Sequence, residues 1–438
     1  MTISRFDPAV LDNDPIRRAS VLWILEAALA EVEPDAAVRR ALQHRESLCE
    51  AAGVHPDLES VDKVWLLAFG KAAPAMARAA VDELRETNIS GLVISNHREP
   101  VPDGLELRVA GHPLPDERSA QGARAALNLL HGAGEGDLVL CLISGGGSAL
   151  LEVPAVGVSL ADVQATVDAL LACGADINEL NTVRKHLSAI KGGRLAQAAD
   201  PAWLFTLILS DVVGNPLDVI ASGPSVPDPT TYADALAVLE RYELHSRVPP
   251  AIVSHLMAGR DALIAETPKT PYARQVVSIV GDGAAAARGA AAVAGRTGRP
   301  VVIATTQMTG NARTEALHCL EAAGPGVTVF AGETTVKVTG PGRGGRNQEA
   351  ALAAARRLAG DRSTIFATLG TDGVDGPTKA AGAIVDGDTI SRGVQRGFDV
   401  DRFLTNNDSG TYLQATGDLL VTGPTGTNVG DIWLVLRD

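Results

Sequence analysis

Short apolar segments alternate with amphipathic stretches along most of this chain, and this alternation limits the fold more than any other feature. In the first half the strongest apolar segments are Val64–Phe69, Asp137–Ile143 and Trp203–Leu209, with apolar residues at helical spacing between them. Parallel strands need a crossover connection, usually a helix, so strands and helices in alternation indicate βαβ units. The pattern predicts an α/β fold whose N-terminal part is a doubly wound, Rossmann-like parallel sheet.

A break in this pattern divides the chain. At residues 265–274 two prolines and several charged side chains interrupt the apolar periodicity. A second alternating series follows, with strands predicted at Gln275–Val280 and Thr334–Thr339. A chain of 438 residues exceeds what one ordinary core holds. We therefore predict two α/β domains, residues 1–265 and residues 266–438.

The composition excludes several classes of protein. The formal net charge of −14 gives no general attraction to nucleic acids or anionic membranes. The four cysteines form no closely spaced pair, which favours buried free thiols over disulfides or a zinc site. The N-terminal sequence lacks the pattern of a signal peptide, and no apolar run reaches the ~20 residues that span a bilayer. We expect a soluble, cytoplasmic protein, in which an anionic ligand needs a local basic cluster.

A glycine-rich loop follows the apolar segment that ends at Ile143. Three consecutive glycines leave backbone N–H groups unobstructed by Cβ atoms, and the flanking serines add hydroxyl donors. Ligands of open α/β sheets gather at the carboxyl ends of strands, so we predict an anion site here instead of an ordinary turn. The residues of this predicted site are Ser144, Gly145, Gly146, Gly147 and Ser148. The loop is not a Walker A motif, because the chain contains no GxxxxGK[ST] sequence.

A lysine and a basic segment supply positive charge in the same half. Lys71 follows Val64–Phe69 at the start of a predicted helix, where the helix dipole disfavours a cation unless it serves an anionic ligand. A lysine that simply extends into solvent is the alternative. A further predicted helix, Leu180–Ala199, carries polar residues opposite its apolar stripe. These are Asn181, Arg184, Lys185 and Lys191, which form either a ligand-facing surface or an ordinary solvated face.

Two polar residues follow the segment Trp203–Leu209. Asp211 can coordinate Mg²⁺ or accept a hydroxyl proton, and Asn215 lies in the same loop. Because Asp is also a common turn residue, a tight turn is the alternative interpretation.

The second half contains an arginine-bearing glycine loop and a pair of carboxylates. Arg343 and Arg346 are separated by glycines at the start of a predicted helix, Arg346–Leu358, where an arginine can hold a phosphate through two hydrogen bonds. Asp372 and Asp375 lie in a glycine-rich loop without the spacing of an EF-hand. The other polar candidates of this half are Glu333, Asn347, Thr371 and Asn407.

One motif favours a different chemistry. Residues 281–286 read GDGAAA after an apolar segment, which is similar to a dinucleotide-binding fingerprint. The acidic residue expected about 20 positions later, to hold the ribose, is absent, since that strand ends in Ala304-Thr305-Thr306. Helix packing and a tight turn explain these glycines, so the motif does not predict a nicotinamide site.

Nine motifs in this order resemble the class II glycerate kinases, whose C-terminal half is called the MOFRL domain. The motifs are FGKAA (69–73), GHPLPDERS (111–119), SGGGSALL (144–151), NTVRKHLSAIKGGRLA (181–196), SDVVGNPLDVIASGPSVPDPTT (210–231), GGRNQE (344–349), GTDGVDGPTKAAGA (370–383), NNDSG (406–410) and TGPTGTNVGD (422–431). Together they cover nearly the whole chain, and no clear departure from the family pattern occurs within them.

The resemblance implies a kinase that transfers the γ-phosphoryl group of ATP to D-glycerate, giving 2-phosphoglycerate, with Mg²⁺ bridging the phosphates. It also implies an active site in the cleft between the two domains. Lys71 and Arg346 (or Arg343) are then the catalytic candidates, because they would stabilise charge on the moving phosphoryl group, and Asp211 is a metal ligand or base. Family members have also been called hydroxypyruvate reductases, so NAD(P)H-dependent reduction is the alternative activity. Which loop holds ATP, and whether the protein is a homodimer, remain open.

Overall fold

The apolar segments of the first half form a parallel sheet. The computed structural model describes residues 5–438. Its first sheet contains β1 (Val64–Phe69), β2 (Ile89–Ser95), β3 (Leu105–Val109), β4 (Leu138–Ile143), β5 (Trp203–Leu209) and β6 (Gln275–Gly281). The strand order is β3-β2-β1-β4-β5-β6, and β1 pairs in parallel with both β2 and β4. This is the order of a doubly wound Rossmann sheet, so the predicted fold class is confirmed.

Helices connect these strands, and one of them is shorter than predicted. The helices before residue 281 are α1 (Pro15–Glu31), α2 (Pro34–Gln43), α3 (Arg45–Ala51), α4 (Ala73–Glu83), α5 (Glu117–Leu130), α6 (Gly147–Leu150), α7 (Leu160–Ala172), α8 (Ile177–His186), α9 (Arg194–Ala198), α10 (Tyr232–Arg241) and α11 (Pro250–Arg260). The prediction of one helix over Leu180–Ala199 was wrong, because α8 ends at His186. The N–H groups of Gly192 and Gly193 instead donate to the carbonyls of Ser222 and Gly223, in a segment some thirty residues later.

A second sheet, of mixed direction, forms in the other half. Its strands are β7 (Val301–Met308), β8 (Gly326–Gly332), β9 (Thr364–Gly370), β10 (Gly382–Asp386), β11 (Leu419–Leu420) and β12 (Asp431–Arg437), in the order β11-β10-β9-β12-β8-β7. β12 runs antiparallel to β8 and β9, and β7 runs parallel to β8. The helices of this half are α12 (Gly283–Gly295), α13 (Ala312–Ala322), α14 (Arg346–Leu358), α15 (Thr389–Gln395), α16 (Val400–Thr405) and α17 (Ser409–Thr416).

The predicted strand Thr334–Thr339 is a loop, and the prediction was therefore wrong there. Its β-type contact is an isolated bridge between Thr335 and Asn311. Asn407 fixes the end of the loop, since its Oδ1 accepts hydrogen bonds from the N–H groups of Thr339 (2.7 Å) and Gly340 (3.1 Å). The Asn407 side chain therefore accepts backbone hydrogen bonds that a neighbouring strand would otherwise accept.

The chain forms two compact units, and each combines segments that are distant in sequence. The parallel-sheet unit contains residues 37–209 and 215–280, and the mixed-sheet unit contains residues 5–36, 210–214 and 281–438. Helix α1 belongs to the mixed-sheet unit because it packs on α12, where a Cβ at Gly289 would lie 2.6 Å from the Cβ of Glu31. This division differs from the predicted boundary at residue 265, and residues 1–4 of that predicted first domain lie outside the described residues.

A buried ion cluster joins α1 to the rest of the mixed-sheet unit. Arg18 has no exposed surface, and its Nη2 lies 2.6 Å from Asp386 Oδ2 and 2.6 Å from Asp418 Oδ1. Arg392 contacts the same two carboxylates at 3.0 and 2.7 Å. Two arginines therefore neutralise two buried aspartates, one from β10 and one that lies just before β11. In residues 5–438, no helix has both the length and the hydropathy needed to cross a membrane.

Candidate functional site

The strand order of the parallel sheet reverses between β1 and β4, and the loops after these two strands touch. The N–H of Lys71 donates to the carbonyl of Gly145 (2.9 Å), and the N–H of Ala72 donates to Ser144 Oγ (3.0 Å). The lack of a side chain at Gly70 permits this approach, because a Cβ there would lie 2.1 Å from Ser144 Oγ. Ligands of doubly wound sheets bind at this reversal of strand order. The structure thus brings together two predicted ligand segments, Lys71 and the glycine-rich loop.

The middle glycine of that loop lies against a histidine. Gly146 has a φ of +83°, and a Cβ there would lie 2.9 Å from Cδ2 and 3.0 Å from Nε2 of His112. The same Cβ position is 3.5 Å from Cγ of Lys71. Burial and, second, the charge of Lys71 lower the pKa of His112 below its ordinary value. A neutral imidazole and a lysine therefore lie side by side at this glycine.

Several donors around the loop have no acceptor among the described residues. Within residues 5–438, the backbone N–H groups of Gly145 and Gly146 donate to no protein atom. The ammonium group of Lys71 has no hydrogen-bond or ion-pair partner in that part of the chain either. A positive charge next to unpaired backbone donors suits a carboxylate or a phosphate.

A strained segment packs against the end of the loop. Ala221, Ser222 and Gly223 have φ values of +50°, +61° and +61°, a region that residues with a Cβ rarely adopt. Ser222 Oγ donates to Oδ1 of Asn181 (2.9 Å) and lies 2.9 Å from Ser148 Oγ. Strain of this kind persists where surrounding contacts fix it, and it concentrates at functional sites. The structure therefore joins two of the predicted residues, Asn181 and Ser148, through Ser222.

Two basic side chains from the predicted basic segment hold the backbone just after the glycines. Lys191 Nζ donates to the carbonyls of Ser148 (2.7 Å) and Leu151 (3.0 Å) and pairs with Glu152 (3.2 Å). Arg184 also donates to the carbonyl of Ser148, at 3.1 Å. Complete burial lowers the pKa of Lys191 to about 8, against the opposite effect of Glu152. These contacts stabilise α6, the short helix that the glycine-rich loop opens.

The predicted basic face is not an open surface. Lys185 is only 2% exposed, and its Nζ lies 2.8 Å from Asp228 and 3.3 Å from Asp218. Lys191 is also buried and pairs with Glu152. Both lysines therefore have carboxylate partners within the protein. Asn215, in the loop after β5, has a left-handed conformation with a φ of +53°. A contact of these residues with a ligand remains a prediction.

In the mixed-sheet unit, Arg346 lies between two carboxylates. Its Nε and Nη2 donate to the two oxygens of Asp431 (2.7 and 3.0 Å), and its Nη1 lies 2.9 Å from Glu333 Oε1. Burial acts to lower the pKa of Arg346, but its hydrogen bonds to Asp431, together with the negative charges of Asp431, Glu333 and Asp375, raise that pKa overall. A guanidinium carries five N–H groups, so donors remain for a ligand after these three contacts. About a third of the Arg346 side chain is exposed to receive one.

A buried network fixes Arg346 from the start of α14. Asn347 Nδ2 donates to Asp431 Oδ1 (2.8 Å), and the indole N–H of Trp433 donates to Asn347 Oδ1 (2.7 Å). Asp375 accepts the N–H groups of Asn347 (3.1 Å) and Gln348 (2.8 Å), which caps the helix. Burial raises the pKa of Asp375 to about 6. Two of the predicted residues, Asn347 and Asp375, therefore act here as positioning groups.

Further carboxylates lie close to Glu333. Shielding by surrounding protein atoms raises the pKa of Glu333, and Asp431, Asp211 and Asp372 add to this rise, while Arg346 opposes it. Asp211 Oδ2 accepts a hydrogen bond from Nδ2 of Asn428 at 2.9 Å. In residues 5–438, no three histidine, cysteine or acidic side chains are grouped so as to hold a metal ion. Any cation here would therefore be held by one or two of these carboxylates together with its ligand.

The other predicted residues of this unit hold loops in place. Asn407 anchors the loop at Thr339, as described above. Thr371 Oγ1 donates to the carbonyl of Gly430 at 2.6 Å. Arg343 lies exposed on its loop, and its N–H donates to Asp408 at 2.9 Å.

Sequence reasoning missed three residues of these clusters, His112, Ser222 and Asp431. Each lies within a motif that was noted, since His112 is in GHPLPDERS, Ser222 in the long motif after β5, and Asp431 at the end of TGPTGTNVGD. The signal was thus present, but nothing in the local pattern indicated which neighbours these side chains would meet.

The turn at residues 281–286 is closed by the protein itself. Asp282 Oδ1 accepts the N–H of Ala285 (2.7 Å) at the start of α12, where a dinucleotide would place its pyrophosphate. A Cβ at Gly283 would lie 3.3 Å from the carbonyl of Val429 and 3.4 Å from Cβ of Ala331. Gly283 therefore allows α12 to begin in close contact with β8 and the segment before β12, in agreement with the packing role that the sequence predicted.

Comparisons with known proteins cover almost the whole chain. The family model of a domain of unknown function (DUF4147) matches residues 20–257, and that of the MOFRL family matches residues 326–431. A D-glycerate 2-kinase from Thermotoga maritima is 41% identical over 98% of this chain and 98% of its own. A putative hydroxypyruvate reductase from Agrobacterium vitis is 41% identical over 97% of this chain and 95% of its own. A crystal structure of glycerate kinase from Thermotoga maritima has a TM-score of 0.86 and 40% identity, covering 97% of this chain and 100% of that chain.

Proposed function

The chain belongs to the class II glycerate kinase family, and on this premise we propose that it transfers the γ-phosphoryl group of ATP to D-glycerate. The products are 2-phosphoglycerate and ADP. The observation that carries the proposal is the position of Lys71, an ammonium group without a protein partner in residues 5–438, beside two unpaired backbone donors of the glycine-rich loop. Both substrates are anions, and such a group of donors binds anions.

Phosphoryl transfer needs positioned donors and neutralised charge more than covalent chemistry from the protein. We assign the charge on the transferred group to Lys71 and Arg346. Arg346 suits this role because Asp431, Glu333 and Asn347 fix its guanidinium before any ligand binds, so little reorganisation is needed. Arg343, on the same loop but exposed, is the second arginine candidate.

A divalent cation carried by ATP, Mg²⁺, would neutralise the charge of its phosphates when bound. The residues fit such an ion, because burial and then the negative charges of Asp431, Asp211 and Asp372 raise the pKa of Glu333, and a bound cation would offset that negative charge. We assign Asp211 as the carboxylate that holds it, with its side chain oriented by Asn428. Oxygen ligands in small number are the usual protein contribution to a Mg²⁺–nucleotide site.

The name hydroxypyruvate reductase, which a relative carries, suggests a different activity. That activity needs a nicotinamide cofactor. The carboxylate of Asp282 occupies the start of α12, so it would repel a pyrophosphate at the fingerprint-like turn. This observation favours the kinase.

The proposal is tested with purified protein, D-glycerate, ATP and Mg²⁺, with phosphorus NMR on the product. We expect ADP and 2-phosphoglycerate in equal amounts, and no NADH or NADPH oxidation with hydroxypyruvate. Formation of 3-phosphoglycerate would correct the position of transfer. Absence of ADP together with NADH oxidation would replace the kinase by the reductase.

Replacing Gly146 with alanine is expected to abolish most of this activity at a moderate cost in stability. The left-handed φ penalises alanine by roughly 1–2 kcal/mol, and the new Cβ would also press on the His112 ring, 2.9 Å away. Gly157→Ala is the matched control, because its φ is +85° and no atom lies within 4 Å of its Cβ position. We expect both variants to lower the thermal midpoint, Gly146→Ala by the larger amount, and kcat/KM to fall in Gly146→Ala alone. Equal activity in the two variants would remove the loop from the site.

A further inference from the structure

His112 differs from the other eight histidines of the chain. His186 and His255 are buried and hydrogen-bonded through their rings. The other six, residues 44, 55, 97, 131, 245 and 318, are exposed. His112 alone is half-buried with neither ring nitrogen hydrogen-bonded to any atom of residues 5–438. A partly desolvated imidazole with no protein partner has its proton-accepting capacity left for a ligand.

The ring of His112 lies beside the donors that we propose bind an anion. Nε2 of His112 lies 3.0 Å from the Cβ position of Gly146, whose N–H has no acceptor in the described chain. Lys71 reaches the same glycine. A ligand held by the loop and Lys71 would therefore lie next to Nε2.

From this arrangement we propose that His112 Nε2 accepts the proton of the D-glycerate hydroxyl as the phosphoryl group is transferred. The inference rests on the proposed kinase activity and adds the base to it. The O2–H proton moves to Nε2, the bond between O2 and Pγ forms, and the bond between Pγ and the bridging oxygen of ATP breaks to release ADP. The imidazolium then returns its proton to water after the products leave.

The charges around the His112 ring favour its neutral form, which can accept a proton. Lys71 is the charged group that faces it from the loop after β1, and the glycine-rich loop after β4 adds no carboxylate there. Asp116, on its own segment, is directed to the N–H groups of Gly111, Arg118 and Ser119. Burial and Lys71 lower the pKa of His112, so the ring is neutral and able to accept a proton at neutral pH.

The test is the pH dependence of kcat/KM in wild-type protein and in His112→Gln, which keeps hydrogen-bonding atoms but is not basic. We expect wild-type kcat/KM to fall as the pH drops below the lowered pKa of His112, because the protonated ring cannot accept a proton. In His112→Gln we expect kcat to fall about 10²-fold or more, this acid limb to disappear, and KM for both substrates to change by less than about threefold. His131→Gln, an exposed histidine, is the matched control and should behave as wild type.

A rise in KM with kcat retained would make His112 a binding contact and overturn the proposal, as would an acid limb that persists in His112→Gln. A second variant guards against a folding defect. Added imidazole should raise the rate of His112→Ala by about tenfold or more, in proportion to its neutral fraction, whereas an unchanged rate in folded protein would also overturn the proposal. Wild-type protein in the same assay separates the two hypotheses, since a lack of 2-phosphoglycerate there counts against the kinase activity itself.

Discussion

Replacing Lys71 with methionine is expected to lower kcat of the glycerate kinase reaction by about 10³-fold. The ammonium group has no protein partner in the described chain, so its charge is available to the substrates alone. Removing it takes away positive charge where the transferred phosphoryl group develops negative charge. We expect kcat and kcat/KM to fall together, because the interaction is strongest in the transition state. Steady-state kinetics with a coupled ADP assay measure both.

The control for this variant is Lys63→Met, at the opposite end of the same strand. Lys63 lies just before β1, with its Nζ 3.3 Å from the centre of the Trp65 ring, whereas Lys71 follows the carboxyl end. Lys63→Met should lose some stability, about 0.5–1 kcal/mol from the cation–π contact, and keep its kcat. Lys71→Met should keep its thermal midpoint, since it breaks no contact within the protein. Similar kcat values for the two variants would exclude Lys71 from catalysis.

Replacing Asp418 with alanine is expected to destabilise the mixed-sheet unit by about 3–5 kcal/mol. Asp418 is fully buried and receives Arg18, Arg392 and Asn13 at 2.6, 2.7 and 3.2 Å. Its loss leaves the buried guanidinium of Arg18 and the partly buried one of Arg392 with one carboxylate, that of Asp386. The cost arises mainly from this uncompensated charge, not from a lost attraction. Urea unfolding, with amide hydrogen exchange of β10 as a local measure, gives the difference in free energy.

An exposed pair in the same unit shows what an ordinary ion pair contributes. Asp401 lies 2.9 Å from Arg356, and both side chains are more than half exposed. Asp401→Ala should therefore change the free energy of unfolding by less than about 1 kcal/mol. If Asp418→Ala costs no more than Asp401→Ala, the buried cluster does not stabilise the fold.

The sequence predicted the fold well where burial alone decides the structure. Val64–Phe69, Trp203–Leu209 and Arg346–Leu358 have the predicted bounds, because each apolar pattern matches its own burial. The helix Leu180–Ala199 failed for a non-local reason. Gly192 and Gly193 bond to a segment some thirty residues later, and local periodicity carries no information about such a partner.

The candidate site divides in the same way. Lys71 and the glycine-rich loop were found because each follows a strand, and the strand order then brings them together. The sequence identified Lys185 and Lys191 as basic residues but did not predict that they are buried. Their partners Asp228 and Glu152 are remote in sequence. His112 was missed because the feature that distinguishes it, a partly buried ring without a hydrogen-bond partner among the described residues, is visible only in the structure. A sequence shows which groups can form hydrogen bonds and not which of them remain unpaired.

The assembly of the mixed-sheet unit from distant segments has a consequence for synthesis. Helix α1 leaves the ribosome long before α12, the helix on which it packs. At typical translation rates the interval is on the order of ten seconds or longer. During that time α1, whose Leu22, Ile24 and Leu25 are buried in the finished protein, lacks the helix on which it packs. Helix α1 can therefore complete its packing only after about two thirds of the chain, up to the end of α12, has been made.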